Sequence, residues 1–132
     1  MLLGNNQRSA YKNTQTKAKV SVSSNFELIH MLHTRLIEDV SRVGHGIANN
    51  DETLKSENLL HAMDIIEALT ASLPLESAPE GDLVHNLYDI YQYAYKSLIE
   101  SVNKGDSSEV DRLNSIFSDL REGWAEYDKA NH

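Results

Sequence analysis

An all-α antiparallel four-helix bundle is the fold class this chain predicts, and three observations predict it. Four amphipathic stretches, each two or more heptads long, run through the sequence. Short clusters of Gly, Pro, Asn and Asp separate them, and no segment shows the strict apolar–polar alternation of a half-buried strand. At 132 residues there is room for one domain with a real core. The expected organisation is a flexible N-terminal arm, or a short capping helix, over residues 1–24, followed by the bundle over 25–132.

The arm is rich in Ser, Thr, Asn, Gln and Lys, and Tyr11 is its one large ring. Such a composition buries too little apolar surface to offset the entropy of ordering. In "SSNFE" either Ser24 or Asn25 can cap a first helix, which runs to about Asn49, where "GHGIANNDE" supplies stop signals and a new cap at Asn50 or Asp51. A second helix runs from about Glu52 to Leu73, and Pro74 and Pro79 in "PLESAPEG" end it. The third spans about Asp82 to Lys104 and stops at Gly105. Asp106 or Ser107 then caps a fourth that reaches about Ala130.

At about 100° per residue, each helix can be assigned a buried stripe. Ile29, Leu32, Leu36, Val40, Val43 and Ile47 form the first. Leu59, Ala62, Met63, Ile66, Leu69 and Leu73 form the second, with Leu60 and Ile65 straying from it. Val110, Leu113, Ile116, Phe117, Leu120, Trp124 and Tyr127 form the fourth. The third helix departs from this economy. Val84, Leu87, Tyr91, Ala94, Leu98 and Val102 make an ordinary stripe, but Leu83 and Ile90 widen it on one side and Tyr88, Tyr95 and Ile99 on the other. Its apolar arc covers about half the helix, against the roughly 100° that a bundle helix buries. Tyr91 belongs to the core and Tyr93 to solvent, while Leu28 and Met31 are apolar residues on an otherwise charged side of the first helix. This surplus is either a generous core or a docking surface.

Charge and composition exclude several functions. Arg8, Lys12, Lys17 and Lys19 give the arm +4 with no acid, so the overall −8 leaves −12 on the other 108 residues. Such a body repels nucleic acid. There is no cysteine, hence no disulfide and no thiolate chemistry, which fits a reducing, cytoplasmic setting. No stretch approaches the roughly 18 apolar residues of a membrane span, and "MLLGNNQRS" lacks a signal-peptide core.

Catalysis finds no support either. Glu27 and His30 form one Glu-x-x-His pair, but a di-iron bundle needs two such pairs and further inward carboxylates, so no metal or cofactor is expected. His33 falls near the core stripe as a buried histidine. His61 points outward on its helix, yet "LLHAMDI" lacks the Lys-Gly that assists a phospho-accepting histidine. A histidine phosphotransfer-type bundle using His61 or His85 is therefore the alternative reading, and a structural homo-oligomer that buries its own tyrosine face is another. The residues themselves describe an acidic helical binding module with spare apolar surface.

Four segments in order, "AYKNTQT" (10–16), "ELIHML" (27–32), "NLYDIYQY" (86–93) and "LREGW" (120–124), resemble the FliS family of flagellin-specific export chaperones. The resemblance extends from about Ala10 to the C-terminus. It departs at Asn25, where relatives carry Pro after Ser, and at His33, Thr34 and Arg35, where they carry Tyr, Asp and Gly. The family resemblance implies a non-enzymatic cytoplasmic bundle. Such a protein binds the disordered C-terminal segment of flagellin one to one, prevents its polymerisation and delivers it to the flagellar type III export gate. Tyr88, Tyr95, Ile99, Leu28 and Met31 then become candidate flagellin-binding residues, joined through the N-terminal motif by Tyr11, Thr14 and Gln15. The same surface would let the free protein pair as a homodimer.

Overall fold

The computed structural model describes residues 25–79 and 81–130. Four long helices account for most of them: α1 Asn25–Ala48, α2 Glu52–Ala71, α3 Leu83–Lys104 and α4 Val110–Ala130, with a single 3-10 turn at Leu75–Ser77 between α2 and α3. The expected all-α antiparallel bundle is therefore the fold. The expected arm over residues 1–24 lies outside the described residues.

The boundaries follow local chemistry. Asn50 turns the chain with a positive φ of 54°. Asp51 then caps α2, its carboxylate accepting from the Leu54 N–H at 3.1 Å. Gly105 ends α3 in the left-handed conformation, with its N–H returned to the last turn. The fourth helix begins later than the sequence predicts. Asp106 accepts from the Ser108 N–H at 2.9 Å, closing a local turn in place of a helix cap, so regular helix starts only at Val110.

The four stripes meet in one core. All six expected residues of α1 are buried, together with Leu87, Tyr91, Ala94 and Leu98 of α3 and Val110, Leu113 and Phe117 of α4. In the second helix Ile65 is fully buried, whereas Leu60 is 63 % exposed. The single stripe expected for that helix misplaces Ile65 because α2 packs on two neighbours, α1 and α3, and so needs two apolar sides. Trp124, expected in the core, is half-buried at its edge and stacks obliquely on Phe26 at 5.9 Å.

Backbone spacing in the bundle is uneven, for a reason of side-chain size. The first helix lies close against α2 and α4, while α3 stands further from its neighbours, held off by Tyr88, Tyr91 and Tyr95. Glycines permit the close contacts. A Cβ on Gly46 would meet the Lys55 backbone nitrogen at 2.7 Å and its Cα at 2.8 Å, and one on Gly44 would meet the Val110 side chain at 3.1 Å. Backbone at a helix start yields less readily than a valine methyl. Gly46→Ala is therefore expected to lose about 1–3 kcal/mol in a urea melt, outweighing the roughly 1 kcal/mol gained in helix propensity, and Gly44→Ala should lose less. A Gly46→Ala protein as stable as its parent would show that α1 and α2 do not approach this closely.

Candidate functional site

The wide arc of α3 resolves into three environments. Tyr91 is buried at the centre of the bundle. Its hydroxyl lies 2.9 Å from His33 Nε2 of α1 and 3.3 Å from the indole Nε1 of Trp124 on α4, while His33 Nδ1 lies 2.9 Å from the Ile29 carbonyl. One arrangement of protons satisfies every group: indole N–H to the Tyr91 oxygen, Tyr91 O–H to Nε2, and Nδ1–H to the carbonyl. That arrangement requires neutral His33. Burial is the largest cause holding its pKa down at about 4, and burial likewise pushes the Tyr91 phenol up to about 12.

On one flank of α3, Tyr88 and Tyr95 are half-buried and pack against the core edge, with Ile99 half-buried one turn beyond Tyr95. The Tyr95 hydroxyl donates to Glu67 Oε2 of α2 at 2.9 Å. Burial, and then the nearby Glu67 carboxylate, raise its pKa. Ile66, Glu67, Thr70 and Ala71 of α2 face Gln92 and Tyr95 across a groove between the two helices. Leu60 precedes Glu67 by seven residues and so extends the same stripe of α2 with an exposed apolar side chain. Sequence reasoning missed the α2 wall of this groove. Its signal was Leu60, a leucine that no core stripe could use.

Tyr93 stands on the opposite side of α3 and is 44 % exposed, as its position predicts. It is not idle, because Arg112 of α4 donates to its hydroxyl and lays the guanidinium over its ring at 5.4 Å from the centroid.

The remaining sequence-predicted residues divide. Leu28 is half-buried against the core and Met31 is 39 % exposed. Leu28 shares its side of α1 with Asp39, eleven residues on, and Asp39 faces α2. Leu28 thus lies towards the side of α1 that packs on α2, while the tyrosine flank belongs to α3. Tyr11, Thr14 and Gln15 lie outside the described residues.

The histidine expected to point outward turns inward instead. His61 Nδ1 donates to the buried Asp39 carboxylate at 2.5 Å and the ring is 26 % exposed. It faces α1 because that side of α2 is an interface and not a solvent face. Desolvation raises the Asp39 pKa against the opposing pull of His61 and the nearby arginines. Among the described residues, no three His, Asp or Glu side chains gather as metal ligands, and no helix is long and apolar enough to cross a membrane.

Comparison with known proteins agrees with the motif resemblance. The family model described as flagellar protein FliS matches residues 6–131. Relatives named flagellar secretion chaperone FliS include one from Escherichia coli, 28 % identical over 124 residues covering 89 % of this chain and 90 % of its own. Another, from Vibrio cholerae, is 25 % identical over 115 residues, covering 87 % and 83 %. A third, from Salmonella typhimurium, is 26 % identical over 116 residues, covering 87 % and 84 %. With the family model matching nearly the whole of this chain and the helices in the expected bundle, this chain belongs to the FliS family of flagellar proteins.

Proposed function

We propose that this protein is a cytoplasmic export chaperone that binds the C-terminal segment of flagellin one to one, keeps it from polymerising early and delivers it to the flagellar type III export apparatus. Family membership supports a flagellar export chaperone role. The observation that carries the finer reading is the groove between α2 and α3. Gln92 and Tyr95 line its α3 side and Ile66, Glu67, Thr70 and Ala71 its α2 side, and the helical period puts Tyr88 and Ile99 on the same stripe of α3 and the exposed Leu60 on the same stripe of α2. An amphipathic segment prone to self-assembly needs such a cover, and tyrosines give contact area at small entropic cost while their hydroxyls tolerate water in the empty state. Leu28 and Met31 contribute if the client passes around the end of α2, and Tyr11, Thr14 and Gln15 complete the surface.

Titration calorimetry with a flagellin C-terminal peptide tests this. Truncating a central aromatic anchor at an interface typically costs about 2 kcal/mol or more, roughly thirtyfold in affinity. Tyr88→Ala with Tyr95→Ala is expected to weaken binding by at least that factor, with a smaller loss of Tm than Tyr91→Ala produces. Tyr93→Ala should leave the affinity unchanged. Unaltered affinity in the Tyr88 and Tyr95 double variant would move the client to another face.

A further inference from the structure

We propose that the outer face where α3 meets α4, centred on Gly123 and Leu83, is a second docking surface, and that it takes a basic amphipathic segment of a protein partner. It lies on the other flank of α3 from the client groove and does not depend on it.

Gly123 raises the question. It sits in the interior of α4, where glycine is less favourable than alanine by about 1 kcal/mol, and a Cβ placed on it would meet no atom of the described residues within 4 Å. No packing within the described bundle calls for a glycine there, in contrast to Gly44 and Gly46. The missing side chain leaves backbone open to close approach from outside.

What surrounds it is apolar. Gly123 follows Arg112 by eleven residues on the same stripe of α4, and Arg112 reaches across to Tyr93 of α3. Because α3 and α4 run antiparallel, Gly123 lies level with the stretch of α3 from Leu83 to Ile90. Leu83 is 56 % exposed, and Ile90, Ile116 and Leu120 are half-buried around the same seam.

The charge on this face selects the partner. Asp89 on α3 and Asp119, Glu122 and Glu126 on α4 are exposed along it. Against these four carboxylates stand two exposed lysines, Lys96 seven residues beyond Asp89 and Lys129 seven beyond Glu122, while Arg112 is engaged by Tyr93 and Glu109 and Arg121 turns to Thr34 of α1, so the face is acidic on balance. An apolar strip rimmed by carboxylates repels phosphate-rich surfaces, both lipid and nucleic acid, and attracts cationic polypeptide. Residues 1–24 are also basic but poor in large apolar side chains, so a separate amphipathic segment matches the strip better.

The probe is a synthetic amphipathic peptide of leucine and lysine, titrated at low ionic strength into the full 15N-labelled chain. Amide shifts are expected to concentrate around Leu83, Ile90 and Gly123. Gly123→Ala is expected to raise Tm and yet weaken the peptide about tenfold, the size of effect that a central contact has, while Tyr88→Ala with Tyr95→Ala leaves it unchanged. The proposal is overturned if the shifts follow the α2–α3 groove or spread over the whole acidic surface, or if Gly123→Ala raises Tm without touching affinity. It is equally overturned if the same amides shift with protein concentration alone, which would make the occupant a second copy. Shifts at these amides on deleting residues 1–24, in the absence of peptide, would make the occupant the chain's own N-terminus.

Discussion

Tyr91→Ala is expected to destabilise the protein by about 3–5 kcal/mol, the range for emptying a buried aromatic site. Its ring is among the largest fully buried side chains and lies where α1, α3 and α4 converge. Part of that loss comes from the hydroxyl. Tyr91→Phe keeps the ring but leaves His33 Nε2 without its donor and removes the acceptor of the Trp124 N–H. A buried group left unsatisfied costs about 1–3 kcal/mol, and His33 is fully buried. Denaturant melts of the two variants separate the contributions. A Tyr91→Phe protein as stable as its parent would show that the hydroxyl bridge adds nothing, and mild destabilisation by Tyr91→Ala would place the ring outside the core.

Acid is expected to weaken the fold well before the carboxylates titrate, through His33. In the folded state its pKa lies at about 4, depressed mainly by burial from the ordinary value of 6.5. The unfolded chain therefore binds this proton more readily than the native one, and stability is complete above pH 6.5 and falls as pH drops from 6.5 towards 4. At about 1.36 kcal/mol per unit of pKa difference, the loss reaches about 2 kcal/mol by pH 5 and about 3 kcal/mol by pH 4. Asp39 and Asp64, whose pKa values are raised by burial, act with the opposite sign. Their native forms take up protons first, so they oppose the histidine at the acid end of that window. Urea melts from pH 7 to pH 4.5 measure the slope. His33→Leu should be less stable than the parent at pH 7, because Tyr91 loses its acceptor, yet should flatten the slope between pH 6.5 and 5. An unchanged slope in that variant would assign the acid sensitivity to another group.

His33 is thus part of a built core contact, buried and bonded at both ring nitrogens, and its contribution to stability is tied to pH.

By itself the sequence determined the helices, their order and most of the core, because those follow from information local to each segment. The apolar period of α1, the Asp51 cap and the left-handed turn at Gly105 each depend on a few neighbouring residues and on the backbone. Tyr91 and Tyr93 were separable for the same reason, since they lie on opposite sides of one helix. Only the tertiary structure decided which partner each side receives. His61 looks outward from α2 taken alone, and it becomes inward only because α1 brings Asp39 to that side. Ile65 strays from a single stripe until two neighbours supply two buried sides. The groove needs Glu67 and Ala71 from α2 beside Tyr95 from α3, a pairing of residues nearly thirty positions apart that no period within either helix encodes. A helical period fixes the direction of a side chain about its own axis, and the packing of one helix on another fixes what that direction meets.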